Sequence, residues 1–296
     1  MKYLSVEAKS KEWNLSARSV RNYCNQGRIP GAILNGKVWM IPEEAVKPSS
    51  TYSVGNRTLL SWLKEEKEPR IPGRIYHYLQ VEMTYNSNHI EGSKLTEDQT
   101  RQIFETKTIL VRDENESINV DDVVETINHF RCIDYVIDNA KNQLNEKFIK
   151  KLHYLLKQNT SDSYKSWFRV GEYKLLENSV GGVDTAKPEE VQNKIAKLLN
   201  EYNSKKKITV EDIVDFHYKF ERIHPFQDGN GRVGRLIMLK ECLKHNIVPI
   251  IIKDDFKDFY YRGLKEYSKE KGYLIDTCKH GQDILCDKLD YFKIKH

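Results

Sequence analysis

The stretch from Ile223 to Arg235 holds the side chains of this sequence that are best suited to chemistry. It contains an imidazole at His224, a carboxylate at Asp228, and two guanidinium groups at Arg232 and Arg235. His224 can accept a proton from an attacking hydroxyl near neutral pH. Asp228 offers hard oxygens that suit Mg²⁺, and two arginines three positions apart share one helix face and can bind successive phosphates. These residue types indicate phosphoryl or nucleotidyl transfer.

A glycine-rich loop, Gly229-Asn230-Gly231, separates the acid from the arginines. Apolar residues recur at helical spacing on both sides of it, at Ile213, Phe216, Phe220 and Ile223 and at Leu236, Ile237, Leu239 and Leu243. The sequence therefore predicts a helix, a loop and a second helix. Gly229 and Gly231 let backbone N–H groups approach a ligand closely, and the N-terminus of the second helix favours an anion.

The order of these residues resembles the signature of the Fic family, H-P-F-x-[D/E]-G-N-G-R-x-x-R, and every specified position is filled. The resemblance implies protein adenylylation, the transfer of AMP from ATP to a Ser, Thr or Tyr hydroxyl of a target protein or of the protein itself. It makes His224 the general base and Asp228 the ligand of a Mg²⁺ cofactor. The residues that it assigns to ATP binding are Gly229, Asn230, Gly231, Arg232 and Arg235. Related Doc kinases carry lysine where Gly231 stands, so glycine favours AMP transfer.

A second motif, Ser87 to Gly92, ends a helix predicted over about 75–92. It resembles the inhibitory motif of Fic proteins, [S/T]-x-x-x-E-[G/N], which makes Ser87 and Glu91 inhibitory. We expect the Glu91 carboxylate to pair with Arg235, which would otherwise bind the terminal phosphate of ATP. Two alternatives stay open: a helix end with a solvated glutamate, and a role of Glu91 in the removal of AMP by positioning a water.

The helical pattern breaks between Lys165 and Gly182, which predicts extended chain and a hairpin. In Fic proteins a hairpin flap here holds the target segment by strand addition. Lys174 stands where the family often has arginine, which puts that contact in doubt. Tyr261 resembles a family tyrosine that packs near the nucleobase, with core packing as the alternative. We expect His153 to be a packing or polar-network residue.

Residues 1–48 predict a small separate domain. Ser5 and Ser16 can cap two short helices, Asn35-Gly36 signals a hairpin, and Pro42 can open a closing helical turn. With Gly27-Arg28-Ile29-Pro30-Gly31-Ala32 and Lys37-Val38-Trp39-Met40-Ile41-Pro42, these elements resemble the excisionase/MerR-type winged helix-turn-helix. The segment holds eight lysines and arginines against four glutamates, most of the net charge of +5 of the whole chain. We expect DNA contacts from Arg18, Arg21, Asn22 and Lys37, with a protein-docking module as the alternative.

The predicted fold is mainly α: an all-α Fic core with a small β-hairpin flap, and the winged helix-turn-helix in front. The predicted domains are 1–48, a linker with a short helix over 49–72, and a Fic domain over 73–296 whose catalytic core covers about 115–280. No apolar run is long enough to span a bilayer, and no signal-peptide core is visible. Five irregularly spaced cysteines favour free thiols, so we expect a cytoplasmic protein.

One further function stays open at this point, that of a DNA-binding transcriptional regulator whose Fic domain senses nucleotide or modifies itself. A toxin restrained by a separate antitoxin is weakened by the inhibitory motif already in the chain. ATP is the expected substrate, and a homodimer is left open.

Overall fold

The computed structural model describes residues 2–13, 15–25, 27–36, 38–48, 57–111, 117–180 and 183–296. The chain divides into two compact units, Met1–Asn56 and Arg57–His296. The five cysteines are free, and four of them are buried. None of the helices in the described ranges is long and apolar enough to cross a membrane.

The first unit combines a three-stranded antiparallel sheet with two helices. Its elements are β1 (Tyr3–Ser5), α1 (Val6–Glu12), α2 (Ala17–Asn25), β2 (Ile33–Asn35) and β3 (Val38–Pro42), with strand order β1-β3-β2. Both helices lie where the sequence predicts them, and Ser5 Oγ accepts the Ala8 N–H at 3.1 Å as the N-cap of α1. A small core forms from Val6, Trp13, Val20, Cys24, Ile29 and Ile41.

After Pro42 the chain makes the expected turn, in which the Ala45 N–H donates to the Pro42 carbonyl at 3.0 Å, but this turn does not continue into a helix in the described residues. The buried ammonium of Lys9 donates to the carbonyl oxygens of Glu43 at 2.8 Å and Ala45 at 3.1 Å. Strand β1, which the sequence did not predict, pairs along β3 from Tyr3 to Ser5.

The candidate DNA contacts are only partly visible. Lys37 lies outside the described residues, and so do the side chains of Arg18 and Asn22. Arg21 is half exposed, and its Nη2 binds Glu7 Oε1 at 2.8 Å.

The second unit is helical apart from one hairpin. Its elements are α3 (Leu59–Lys67), α4 (Ile75–Ile90), α5 (Glu97–Glu105), α6 (Val120–Asn139), α7 (Glu146–Lys157), β4 (Ser179–Val180), β5 (Val183–Asp184), α8 (Pro188–Asn203), α9 (Val210–Ile223), α10 (Asn230–His245), α11 (Lys257–Glu266) and α12 (Gly272–Tyr291). The mainly helical class is therefore confirmed. Thr96 and Gln99 form a capping box at the start of α5, and the Asn145 side chain caps α7.

The apolar pattern predicts a C-terminal helix from Ile284 to Phe292, but in the structure this helix begins at Gly272, twelve residues earlier. Its first half buries only a narrow stripe, with Leu274 and Cys278 followed by Gly281. A side-chain carbon at Gly281 would lie 2.6 Å from the carbonyl oxygen of Ile251. A contact between a glycine and another backbone adds no apolar residue to the pattern, so the sequence did not reveal it.

Helix α10 forms the centre of the second unit, because every residue from Asn230 to Leu243 is buried. It packs against α9, α6, α7 and α4. A helix that is covered on all sides has little freedom to shift. It therefore holds the preceding loop, His224 to Gly229, in a fixed place at its N-terminus.

Candidate active site

The loop between α9 and α10 begins and ends with left-handed residues. His224 closes α9 at φ 51° and ψ 63°, and Gly229 opens α10 at φ 78°. Between them, Phe226 is fully buried and stacks on His153 with ring centroids 4.0 Å apart. His153 Nδ1 in turn accepts the Gly171 N–H at 2.9 Å, which confirms its predicted packing and polar-network role.

The side chain of Asn230 is bonded within the loop. Its Oδ1 accepts the Phe226 N–H at 2.8 Å, and its Nδ2 donates to the Phe226 carbonyl at 2.8 Å. The buried carboxamide is thereby committed to holding the loop, so only the backbone of Asn230 remains available to a ligand.

A cavity of about 540 Å³ brings the predicted functional groups together. Its lining includes Glu91, Thr185, Tyr218, Glu221, Arg222, His224, Asp228, Gly229, Gly231 and Tyr261. These residues come from the end of α4, the hairpin, α9, the loop, α10 and α11. The base, the acid, the glycines and the proposed inhibitory carboxylate therefore face one space.

His224 is neutral in this environment. Burial, with the nearby Lys174 ammonium as the next cause, lowers the pKa of His224 to about 4. Its Nδ1 is shielded from solvent, which leaves Nε2 as the ring nitrogen for a substrate. A neutral imidazole can accept a proton at pH 7, as a general base must.

Asp228 is ionised and fits a magnesium ion. Burial would raise the pKa of Asp228, but the Arg232 and Lys157 cations outweigh it and hold the pKa well below the usual range. No group of three or more His, Cys, Asp or Glu side chains suited to a metal occurs in the described ranges. A single carboxylate suits Mg²⁺, because this ion keeps several waters and takes its other ligands from substrate phosphates.

Arg235 is buried and bound by the last turn of α4. Its Nε donates to Ser87 Oγ at 2.9 Å, and its Nη2 donates to the Ser87 carbonyl at 2.9 Å and to Glu91 Oε1 at 2.7 Å. The ion pair that the sequence predicts between Glu91 and Arg235 is therefore present. Three charge-assisted hydrogen bonds on one guanidinium make a strong and directional contact.

Gly231 is what lets the Glu91 carboxylate approach. A side-chain carbon at position 231 would lie 2.2 Å from Glu91 Oε1 and 3.0 Å from Arg235 Nη1. Any larger residue would therefore displace the carboxylate. Gly231 suits a phosphate-binding loop, and it is also required for the contact of Glu91 with Arg235 beside that loop.

Further polar groups behind Arg235 were not recognised from the sequence. Tyr260 OH lies 3.4 Å from Arg235 Nη1 and 2.8 Å from His217 Nε2, and all three side chains are buried. Burial and the Glu91 carboxylate raise the pKa of Glu221 to about 8. His217 and Glu221 occupy an otherwise ordinary amphipathic helix, and only the burial of His217 and the position of Glu221 in the cavity wall mark them.

Lys174 forms hydrogen bonds within the hairpin region through both its side chain and its backbone N–H. Its buried Nζ donates to Asn178 Oδ1 and Thr185 Oγ1, both at 2.6 Å, and its backbone N–H donates to the Pro225 carbonyl at 2.9 Å. Strands β4 and β5 pair in antiparallel register, with Ser179 opposite Asp184.

Tyr261 lines the cavity and is 40% exposed. Its hydroxyl donates to the Ile90 carbonyl at 3.2 Å. This position favours contact with a bound ligand over simple core packing, whereas the neighbouring Tyr260 is a core residue.

The buried histidines predict a loss of stability in mild acid. Burial lowers the pKa of His129, His153 and His217 to about 3 and that of His224 to about 4, whereas an unfolded histidine titrates near 6.5. The unfolded chain therefore binds up to four more protons as the pH falls below about 6.5. Glu221 opposes this effect, because its pKa is raised to about 8 in the folded state and the folded chain therefore binds one more proton there. We expect the free energy of unfolding to fall by at most about 4 kcal/mol per pH unit between pH 6 and 5.

Urea unfolding from pH 7 to 5 measures this slope. The variant His129→Gln removes one of the four histidines. The slope of its free energy of unfolding against pH should therefore be smaller by the contribution of about one proton. A free energy of unfolding that stays constant over this range would contradict the prediction.

Comparison with known proteins agrees with this geometry. Residues 143–242 match the model of the Fic/DOC family. The chain is 29% identical over 188 residues to the protein adenylyltransferase Fic of Drosophila persimilis, and 25% identical over 187 residues to protein adenylyltransferase fic-1 of Caenorhabditis elegans. Each match covers 61% of this chain and 35% of the relative, so the chain spans about a third of the length of these curated relatives.

Solved structures show the same architecture. A Fic-domain-containing signaling protein from Bacteroides thetaiotaomicron has a TM-score of 0.59 at 26% identity, covering 77% of this chain and 91% of that chain. Fic-1 from C. elegans has a TM-score of 0.62 at 19% identity, covering 79% of this chain and 71% of that chain, and supports the fold alone. The chain therefore contains a Fic domain, and protein adenylyltransferases are among its homologues.

Proposed function

We propose that this chain is a protein adenylyltransferase that transfers AMP from ATP to a hydroxyl side chain of a target protein or of itself. The observation that carries the proposal is that His224, Asp228 and the Gly229–Gly231 backbone line one cavity, with Arg235 directly behind it. The similarity to curated adenylyltransferases supports AMP as the transferred group.

In this mechanism the substrate hydroxyl oxygen attacks the α-phosphorus of ATP. His224 accepts the hydroxyl proton through Nε2, and its neutral state at pH 7 makes this transfer possible. The bond from the α-phosphorus to the oxygen that bridges to the β-phosphate breaks, and pyrophosphate leaves. Backbone N–H groups at the N-terminus of α10 stabilise the charge that builds on the phosphate oxygens.

Asp228 would hold Mg²⁺, which supplies positive charge to the phosphates when it is bound. Arg232 and Arg235 add guanidinium groups to the same end of the site. Arg232 is buried against Glu125 and Asp228, so it acts through that cluster or after a shift of its side chain. Tyr261, at the cavity wall formed by α11, is the candidate contact for the nucleobase.

The hairpin is the proposed docking site for the target segment. Its strands have only two residues each, and an added strand from the target would complete backbone hydrogen bonds there. The Lys174 network ties the hairpin to Pro225, next to the base. A target hydroxyl would in this way be brought near His224.

Glu91 is the proposed restraint on the activity. Its carboxylate occupies Arg235, and the approach past Gly231 fills space next to the phosphate loop. ATP can place its terminal phosphate on Arg235 only after Glu91 has moved. A contribution of Glu91 to AMP removal is a further proposal, which the same position beside the cavity allows.

ATP labelled at the α-phosphate or at the γ-phosphate tests the activity. Incubation of the Glu91→Gly variant with ATP and Mg²⁺ should label protein from the α-position only. Label from the γ-position would indicate a kinase, and label from neither position on the protein itself or on candidate targets would count against the proposal. Mass spectrometry of the product then identifies the modified residue.

DNA binding by the first unit is the second candidate function, favoured by the charge of residues 1–48. Helix α2 carries Arg21, whose Nη2 forms an ion pair with Glu7 Oε1 at 2.8 Å. We expect Arg21→Ala to weaken binding to duplex DNA and to lower the salt dependence by about one phosphate contact. Glu7→Ala should strengthen binding, because it releases Arg21 from its acidic partner.

Fluorescence anisotropy of labelled duplex DNA at several salt concentrations measures both effects. The matched pair separates a specific contact from a general loss of folding, since the two variants should shift affinity in opposite directions. Equal affinities for both variants and the wild type, or an affinity that does not depend on salt, would contradict this role.

A further inference from the structure

Two buried cations meet on one oxygen of Asp228. Lys157 Nζ donates to Oδ2 at 2.6 Å, and Arg232 Nη2 donates to the same oxygen at 3.4 Å. The side chains of Lys157 and Arg232 are only 3% and 5% exposed, whereas that of Asp228 is 48% exposed. Both cations therefore hold the carboxylate from the buried side, through Oδ2.

Glu125 joins these two cations behind Asp228. Its Oε1 accepts from Lys157 Nζ at 2.5 Å, and its Oε2 pairs with Arg232 Nη1. The contacts close a ring of four groups with alternating charge: Asp228, Lys157, Glu125 and Arg232. The ring connects α6, the end of α7, the loop and α10. Each member has two oppositely charged neighbours, and Lys157, Glu125 and Arg232 are at most 13% exposed. The ring therefore restricts the Asp228 side chain more than one pair would.

We propose that Lys157 and Glu125 are positioning residues for the metal and nucleotide end of the site. They hold Asp228 by Oδ2, so that Oδ1 is presented to the Mg²⁺ that accompanies ATP. Outer partners of a metal ligand typically contribute about 10–100-fold to metal affinity. This role rests on the AMP transfer proposed above, since it assumes a site for a metal–nucleotide complex.

If Lys157 is only a counter-ion of Asp228, its removal should change the metal affinity in the opposite direction. A positive charge 2.6 Å from the metal ligand opposes a second cation by Coulomb repulsion. If Lys157 did nothing but balance charge, its removal would strengthen metal binding. If it positions the carboxylate, its removal weakens metal binding.

The test is the dissociation constant of Mn²⁺, used as the probe for Mg²⁺, measured by electron paramagnetic resonance. The full chain is saturated with the non-hydrolysable β,γ-imido analogue of ATP. We expect Lys157→Met to weaken Mn²⁺ binding by about 10–100-fold. Lys157→Arg, which keeps a cationic donor, should stay within a few-fold of the wild type.

Lys165→Met is the matched control. Lys165 pairs with Asp162 at 2.6 Å, and Asp162 also contacts Lys157, but Lys165 is half exposed and does not touch Asp228. The control therefore removes the same charge from the same neighbourhood without touching the ring. Its Mn²⁺ affinity should equal that of the wild type.

Lys157→Met leaves Glu125 with one cation fewer and can impair folding. The double variant Lys157→Met/Glu125→Gln removes one charge of each sign, and its unfolding transition shows whether it is folded. Weakened Mn²⁺ binding in the folded double variant supports the positioning role. Unchanged or tighter binding in folded Lys157→Met or in the folded double variant overturns it, while the proposed AMP transfer stands. A wild-type chain that binds no Mn²⁺ in the presence of the nucleotide overturns both.

Discussion

Replacement of His224 by alanine is expected to lower AMP transfer by about 10²–10⁴-fold, the usual cost of losing a general base. Burial and Lys174 keep this imidazole neutral, and it faces the same cavity as Asp228 and the glycine loop. Among the described residues that line this cavity, none is a second histidine, so no other imidazole of the described chain is placed there to replace it. The rate of label incorporation from α-labelled ATP measures the effect.

His280→Ala is the control for this prediction. His280 is exposed on α12 and contacts Phe256, and it does not line the cavity. The control should retain the wild-type rate. An unfolding transition close to that of the wild type would show that His224→Ala is folded. A folded His224→Ala variant with full activity would refute the assignment of the base.

Replacement of Glu91 by glycine is expected to raise AMP transfer by about 5–150-fold. This range corresponds to about 1–3 kcal/mol for a partly buried, charge-assisted hydrogen bond. In the wild type, a nucleotide must displace the Glu91 carboxylate from Arg235 before the guanidinium can bind a phosphate. In the variant Arg235 keeps Ser87, through Oγ and the backbone carbonyl, and the more distant Tyr260 OH.

The same substitution should lower the stability of the ligand-free chain. Arg235 is 3% exposed, and without Glu91 its charge loses the only carboxylate that contacts it in the described ranges. A rise in activity together with a fall in the melting temperature is therefore the expected signature of Glu91→Gly. Added ATP and Mg²⁺ should recover part of the lost stability, because the nucleotide replaces the missing anion.

Glu97→Gln provides the matched control on the surface. Glu97 pairs with Arg101 at 2.5 Å on α5, and both side chains are about 40% exposed. Exposed pairs of this kind contribute little, so the control should change neither activity nor melting temperature. If Glu91→Gly is folded and no more active than this control, the inhibitory role of Glu91 is refuted.

Local spacing was enough to locate the main parts of the site. The residues from His224 to Arg235 predicted a helix, a loop and a helix, and the structure has α9, the loop and α10 at those positions. The sequence also predicted a helix over about 75–92, which the structure has as α4 (Ile75–Ile90), and the pairing of Glu91 with Arg235. The helices and the loop depend on short-range geometry, so the sequence determines them directly. The pair of Glu91 with Arg235, 144 positions apart, was predicted from the resemblance of two motifs to those of the Fic family.

The groups that support the motif were decided only by the tertiary structure. Glu125 and Arg232 are 107 positions apart, and Lys157 and Asp228 are 71 apart, so no spacing rule relates them. Asn230 lies inside the motif, yet its two hydrogen bonds to Phe226 show that its carboxamide serves the loop. Charged and polar residues on amphipathic helices resemble ordinary surface residues in a sequence. They become functional candidates when packing buries them next to a partner from another helix, because burial makes an unpaired polar group costly and a paired one strong.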